Sequence, residues 1–321
     1  MHQFTVVMPL YNKAGYVVDS VCSVLAQEFN DLELIVVDDG STDGGVDCLV
    51  ELDDPRLTII RQPNAGVSAA RNLGILRAGG VYITFLDADD LWSPMHLVHL
   101  SELIDRNPLV IAWATGFSEF DDTCTPPQIT TQATCSVSAE SRTYSQYDFL
   151  ITWGRSPLFC TGSIAIRAST LRALQPCFPI GERLGEDQDL WFRLSALGPI
   201  RVSSMTTTTF YRRGVGHSLT APAVLTALPA MLRLLHRSRG QSPRVGNAMR
   251  QVVSLHMLHV AWANCVAGRR TAALRFLRQA SPSASPVYWT RILLGLLLPN
   301  RLLKVTLAWI KSNRIRRVSE L

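Results

Sequence analysis

Acidic residues are almost missing from the last third of this 321-residue chain, where Glu320 is the single Asp or Glu between positions 220 and 321. That stretch holds sixteen of the 31 Lys and Arg, and the other fifteen share residues 1–219 with 25 of the 26 acids. The front is therefore net −10 and the back net +15. Such a division predicts an acidic working portion and a basic portion that meets an anionic surface. Paired cysteines are also lacking. The seven cysteines are scattered and odd in number, and no two form a Cys-x-x-Cys pair. This argues against a disulfide framework and a zinc knuckle, and it favours a reducing compartment. The opening residues Met1-His2-Gln3-Phe4-Thr5 carry no basic or long apolar signal region, so export by that route is not expected. Long apolar runs are missing too. In the most leucine-rich stretch the uncharged interval between Arg291 and Arg301 is nine residues and contains Pro299. A spanning helix needs about 20 apolar residues. What remains, 47% apolar and 18% charged, is the composition of a globular chain with one large core or two modest ones.

Along the first ninety residues, unbroken apolar runs at Phe4–Leu10, Leu32–Val37, Leu57–Ile60 and Val81–Leu86 alternate with segments of helical spacing. Val17, Val18, Val21, Cys22 and Leu25 form one such segment, and Val67, Ala70, Leu73 and Arg77 another. The pattern predicts an α/β fold, a mostly parallel sheet with helices on its faces. Ser93-Pro94 reads as a helix start, and the run from Leu109 to Trp113 as a further strand. Residues 121–142, rich in Thr, Ser, Pro and Gln, read as a long loop. Cys160–Arg167 is expected as a strand, Asp187–Leu197 as a helix and Thr206–Arg212 as β-like. Beyond Thr220 the chain reads as helical and basic, which divides it into residues 1–219 and residues 220–321.

In parallel sheets ligands bind beyond the carboxyl ends of the strands. Three loops there are rich in functional groups: Tyr11-Asn12-Lys13, Asp38-Asp39-Gly40-Ser41-Thr42-Asp43 and Asp87-Ala88-Asp89-Asp90. A carboxylate cluster at the end of a buried strand is costly unless positive charge lies between its oxygens. Mg²⁺ accepts one or two carboxylates plus substrate phosphates, so a metal-diphosphate site is the economical explanation. The plainer alternatives are that Asp90 caps the next helix and that Ser41 or Thr42 caps the one after Asp39.

Pro9-Leu10-Tyr11-Asn12, Val36 through Asp43, Asn64-Ala65-Gly66-Val67-Ser68-Ala69-Ala70-Arg71-Asn72-x-Gly74 and Phe85 through Asp90 follow one another at spacings that together resemble glycosyltransferase family 2. These are inverting enzymes with the GT-A nucleotide-sugar-binding fold, and the resemblance covers residues 4–217. It implies a GT-A sheet with a C-terminal helical extension, a nucleotide-sugar donor with UDP as the usual nucleotide, and Mg²⁺ or Mn²⁺ as cofactor. By similarity Pro9, Tyr11, Asp39, Arg71 and Asp87 would bind the nucleotide, with Asp87 near the ribose or the metal. Tyr11 would stack on the base, Asp39 would accept its imino hydrogen, and Arg71 would lie by the base or diphosphate. Asp89 would ligate the metal, with His217 in the closing segment after Tyr211-Arg212-Arg213 as a second candidate.

Gly185-Glu186-Asp187-Gln188-Asp189-Leu190-Trp191 resembles the family's acidic pair before a helix and makes Asp187 the candidate general base. An acceptor hydroxyl is a poor nucleophile until a carboxylate takes its proton. The alternative is that Glu186 and Asp187 only complement a helix N-terminus. Trp191 and Phe192 read as core, and Asp189 with Arg193 as a surface pair. The Gln-x-x-Arg-Trp element of processive relatives is missing, which favours addition of one sugar. A sugar-nucleotide pyrophosphorylase would carry a glycine-rich basic loop where Tyr11-Asn12-Lys13-Ala14-Gly15 stands, and a silent nucleotide-sugar-binding scaffold remains a rival of another class. Leu, Ile and Trp interleaved with Arg and Lys after Tyr288 suit a membrane surface better than nucleic acid. The expected location is cytoplasmic, peripheral on the inner membrane face, with a glycan or lipid-linked acceptor.

Overall fold

The computed structural model describes residues 3–121, 141–215 and 225–299. Candidate ligand His217, most of the 121–142 loop and the basic tail from 300 onward lie outside them. The chain forms two compact units, Met1–Ala221 and Pro222–Leu321.

The first unit runs β1 (Phe4–Leu10), α1 (Val17–Leu25), β2 (Leu32–Asp38), α2 (Gly45–Val50), β3 (Leu57–Arg61), α3 (Val67–Arg77), β4 (Tyr82–Phe85), β5 (Leu91–Trp92) and α4 (His96–Arg106). It continues with β6 (Ala112–Asp121), β7 (Arg142–Tyr144), α5 (Gln146–Trp153), β8 (Ile164–Arg167), α6 (Ala168–Ala173), α7 (Glu186–Leu197) and β9 (Ile200–Arg213). The strands lie in one sheet of order β3-β2-β1-β4-β8-β6-β9-β5, with β7 on β9. The expected parallel half is β1 to β4. Beyond it the sheet is mixed. β8 is antiparallel to both β4 and β6, β6 is parallel to β9, and β5 and β7 run antiparallel to β9.

β1 is central, and its apolar run FTVVMPL is buried on both faces. Proline inside a central strand normally costs a ladder hydrogen bond. Here the carbonyls of Gln3 and Val7 accept from β4 and its following residue, while that of Leu10 accepts from Asp39 on the β2 side. Position 9 therefore faces the β4 side, where pairing has already ended at Val7 opposite Phe85. Pro9, which has no N–H to donate, thus stands where the pairing with β4 stops.

On one sheet face α1 and α4 cover a core that includes Val6, Met8, Leu34, Val36, Trp92 and Trp113. On the other, α3 packs Ala70 and Leu73 against Ile35 and Val37. This packing explains a glycine of the third motif. A Cβ at Gly74 would stand 2.3 Å from Cγ1 of Val7, so only glycine lets α3 approach β1 this closely.

Several local readings change. Ser41 and Thr42 do not cap α2, which begins at Gly45 behind a left-handed Gly44. Likewise α4 starts at His96 with Met95 as its cap residue, so Ser93-Pro94 lies just ahead of the helix. Asp189 and Arg193 are no surface pair. Asp189 is buried, its Oδ2 lies 3.1 Å from Arg193 Nε, and Arg193 also donates to the carbonyls of Leu174, Pro176 and Cys177. Trp191 and Phe192 are buried in an aromatic cluster with Phe149, Trp153 and Phe159.

The second unit comprises α8 (Pro229–Arg237), α9 (Pro243–Val266), α10 (Arg270–Gln279) and α11 (Pro286–Leu297). Proline sits in the first turn of α8, α9 and α11, where its fixed φ suits a helix start. α9 is the central helix, burying Met249, Val252, Val253, Met257, Leu258 and Ala261. Among the described residues no helix is long and apolar enough to cross a membrane.

Candidate active site

The loops that leave β1, β2 and β4 open at the same sheet edge because those strands are parallel neighbours. Asn12 laces the first two together. It adopts a left-handed φ of 51°, its N–H donates to Ser41 Oγ at 3.1 Å, and its Oδ1 accepts from Thr42 N–H at 2.8 Å. Asn is among the few side chains that tolerate this backbone region. Beside it Tyr11 is 49% exposed, a large aromatic ring left open at the strand end.

Asp39 is buried and already employed. Oδ1 accepts from Gln62 Nε2 at 2.7 Å and Ala65 N–H at 2.8 Å, and Oδ2 from Gly66 N–H at 2.8 Å. A carboxylate offers about four lone-pair directions, so one remains for a ligand donor. The same three bonds shape the turn that starts α3.

α3 carries the residue that joins the two halves of the site. Arg71 is only 4% exposed; its Nη2 donates to Asp87 Oδ1 at 2.6 Å and its Nη1 to Glu186 Oε1 at 2.9 Å. Asp87 follows β4, whereas Glu186 opens α7, so one guanidinium holds both elements. Phe178 packs under Arg71 with its ring centroid 5.3 Å from the guanidinium carbon. Asn72 fixes Phe178 by donating to its carbonyl at 2.7 Å and accepting its N–H at 3.0 Å. The run Ala70-Arg71-Asn72-x-Gly74 thus has a physical reason at each named position. Burial opposes Arg71's charge, but the Asp87 and Glu186 carboxylates outweigh it and its pKa lies above the usual arginine value.

Each acid of the Asp87-Ala88-Asp89-Asp90 turn has its own counter-group. Asp87 faces Arg71, Asp89 Oδ2 receives Lys13 Nζ at 2.6 Å, and buried Asp90 accepts the Arg212 N–H at 2.9 Å through Oδ1. Asp90 therefore ties the turn to β9 rather than capping α4. Arg212 Nε also donates to the Asp89 carbonyl at 2.9 Å, with its guanidinium carbon 5.0 Å from the Tyr16 ring centroid and 4.8 Å from that of Phe120. Burial raises the pKa of Asp89 despite Lys13, and raises that of Asp90 further, with Asp89 and Asp87 adding to it. Excess negative charge is crowded here, and a further cation would relieve it.

Among the described residues there is no group of three or more His, Cys, Asp or Glu side chains placed to hold a metal. The donor set fits a hard divalent cation nonetheless. Two partly covered carboxylates at a strand end, one with an ammonium already where a metal ion would sit, match Mg²⁺ or Mn²⁺ held by few protein oxygens plus diphosphate and water. Asp87 and Asp89 would hold it.

Asp187 stands at the start of α7 behind Gly185, whose φ of 73° turns the chain into the helix. Its Oδ1 accepts the Gln188 N–H at 2.7 Å and its Oδ2 accepts from Thr161 Oγ1 at 3.3 Å. Burial raises the Asp187 pKa against the opposing pull of Arg71, and burial together with Asp187 raises that of Glu186. The helix N-terminus favours these anions, as the plainer reading held. The raised pKa also makes Asp187 a better proton acceptor than an exposed aspartate.

The geometry therefore brings Pro9, Tyr11, Asp39, Arg71, Asp87, Asp89 and Asp187 to one edge of the unit. Sequence reasoning missed the roles of Lys13, Glu186, Thr161 and Asp90. Lys13 carried one usable signal, a cation two residues past Tyr11 in a loop destined for the acidic edge.

The Glycosyl transferase family 2 model matches residues 5–174. Among curated proteins, an uncharacterized glycosyltransferase of Bacillus subtilis, EpsJ, is 34% identical over 129 residues, 39% of this chain and 38% of its own. The succinoglycan biosynthesis protein ExoW of Rhizobium meliloti is 37% identical over 121 residues, 36% of this chain and 38% of its own. In both the match spans well under two thirds of the relative's length. Of solved structures, residues 1–349 of S. aureus TarS with UDP-GlcNAc superpose with a TM-score of 0.66 at 17% identity, covering 88% of this chain and 82% of that one. The mannosyltransferase PcManGT of Pyrobaculum calidifontis with GDP-Man and Mn²⁺ gives 0.54 at 18% identity, covering 98% and 87%. These likenesses show the GT-A fold. With its motifs assembled at one sheet edge and more than half its length matched, the chain belongs to glycosyltransferase family 2.

Proposed function

We propose that the chain transfers one sugar from a nucleotide sugar to a hydroxyl acceptor with inversion, residues 1–219 being catalytic. The observation that carries this reading is the Arg71 bridge. It places the acidic turn of β4, suited to a diphosphate and cation, one guanidinium away from the helix start that bears Asp187. The acceptor O–H gives its proton to Asp187 as its oxygen bonds the anomeric carbon. The bond to the diphosphate oxygen breaks, and that electron pair leaves with the nucleoside diphosphate. Attack opposite the leaving group inverts the configuration. A bound Mg²⁺ or Mn²⁺ would supply Lewis-acid stabilisation of the diphosphate. Tyr11 offers its face to the base, and the remaining lone pair of Asp39 accepts an N–H from it. The nucleotide-sugar complexes of TarS and PcManGT support the donor class, and UDP is the nucleotide we favour.

The acceptor we propose is a lipid-linked or envelope glycan; the relative ExoW is a succinoglycan biosynthesis protein, which supports a glycan acceptor. Residues 220–321 would hold the enzyme on the cytoplasmic face of a membrane. On α11 Val287 is 81% exposed and Leu297 75%, with Leu293 and Leu294 also open, while Arg269, Arg270, Arg275, Arg278 and Arg291 lie on the surface of the same unit. Apolar side chains among cations suit the headgroup layer of an anionic bilayer, where each basic residue contributes about 1 kcal/mol.

Nucleotide sugars screened for Mn²⁺-dependent thermal stabilisation test the donor reading. A UDP-sugar should raise Tm in the wild type with metal and fail to do so in Asp89→Ala. No stabilisation by any nucleotide sugar would sink it.

A further inference from the structure

We propose that Lys13 competes with the divalent cation for Asp89, so that metal and nucleoside diphosphate bind as a coupled pair. The proposal rests on the reading of Asp89 as metal ligand given above. Lys13 Nζ lies 2.6 Å from Asp89 Oδ2, with both side chains largely covered, at 14% and 17% exposure. Water therefore screens the contact poorly. A divalent cation on either oxygen of Asp89 would stand within a few ångströms of the ammonium, and the two like charges repel.

The other cationic residues of the cluster are not free to respond. Arg71 is held by two carboxylates at once, and Arg212 reaches Asp90 through its backbone N–H and Asp89 through a backbone carbonyl. Lys13 is different. Its ammonium sits on a flexible four-carbon stem in the loop after β1, and Asp89 is the one carboxylate it pairs with among the described residues.

No third metal-binding side chain is placed beside Asp87 and Asp89 among the described residues, so protein ligands alone do little to offset displacement of the ammonium. A diphosphate changes both sides of the exchange. It supplies oxygens to the cation and an anionic partner to the released Lys13. Diphosphate then strengthens metal binding, and metal strengthens diphosphate binding by the same factor. Removing the ammonium leaves the direct metal-phosphate contact but deletes the part of the coupling that comes from Lys13.

The test measures Mn²⁺ binding by the loss of the free-ion electron paramagnetic resonance signal and by calorimetry, on the full chain. It is run with Mn²⁺ alone, with UDP and with inorganic pyrophosphate. Lys13→Met and Lys13→Gln are compared with Lys13→Arg and wild type after thermal unfolding shows each to be folded. We expect the two neutral variants to bind Mn²⁺ alone on the order of tenfold more tightly than wild type, with the UDP–Mn²⁺ coupling factor reduced to match. Lys13→Arg should behave as wild type. Equal metal affinity in wild type and the neutral variants, or an unchanged coupling factor, overturns the competition. Asp89→Ala separates the two ideas: if it binds Mn²⁺ with UDP as well as wild type does, the metal-ligand reading fails. That reading fails also if neither UDP nor pyrophosphate promotes Mn²⁺ binding to the wild type.

Discussion

Charge is handled in opposite ways by the two units. In Met1–Ala221 cations and carboxylates are folded against each other, across long stretches of sequence in Arg71 with Asp87 and Glu186 and in Lys13 with Asp89, and within one helix in Arg193 with Asp189. In Pro222–Leu321 Arg239, Arg244, Arg250, Arg269, Arg270, Arg275, Arg278 and Arg291 all lie at the surface, in a unit whose sequence holds one acid. Buried, paired charge is expensive to assemble and specific in geometry, which suits a site. Surface cations without acids act through a long-range field, which suits attraction to an extended anionic partner. The same residue types thus serve position in one unit and summed potential in the other.

This contrast can be broken at several points, beginning in the paired network. Arg71→Met leaves Glu186 and Asp87 facing each other without their cation, and should cost about 3–5 kcal/mol of stability in thermal or urea unfolding. An unchanged Tm would mean the bridge holds nothing together. Gly74→Ala, whose Cβ would press on Val7, should cost about 1–3 kcal/mol by the same measurement. In the second unit, Leu294→Ser with Leu297→Ser should change stability by less than about 0.5 kcal/mol, because both side chains are exposed. The pair should nonetheless release the protein from anionic vesicles in a sedimentation assay. Retention by the double variant would move the contact elsewhere, and failure of the wild type to sediment would remove the membrane reading.

A pH titration sharpens the same comparison within the first unit. Asp89, Asp90, Glu186 and Asp187 all have folded-state pKa values raised above the ordinary carboxylate range. Such groups bind protons more readily folded than unfolded. Their net effect on stability is most favourable below the unfolded value and is lost as pH rises through the folded one. Asp90→Asn should therefore gain stability relative to wild type as pH rises above the ordinary aspartate range. A constant difference across pH would contradict the burial argument.

How far the sequence carries varies with the range of the interaction. β1 to β4 are readable because a strand buried on both faces leaves an unbroken apolar run. β6 extends to Asp121, past the expected end at Trp113, because its outer half Gly116-Phe117-Ser118-Glu119 has no such run. Nothing in Ile164-Ala165-Ile166-Arg167 reveals that β8 runs antiparallel between β4 and β6, since direction is set by the path of the connecting segments. The motif loops could be placed at one edge from strand order alone. Their internal pairings could not be read, since Lys13 and Asp89 are 76 residues apart and Arg71 and Glu186 are 115 apart.

The central claim is that this edge performs an inverting transfer with Asp187 as its base. The direct measurement is transfer from the stabilising nucleotide sugar to a hydroxyl acceptor, with the product anomer assigned by NMR, in wild type and Asp187→Asn. The account predicts inverted product, a rate lower by about 10²- to 10⁴-fold in the variant, and donor affinity within roughly a factor of two. Wild-type turnover in Asp187→Asn, or product with retained configuration, would contradict it.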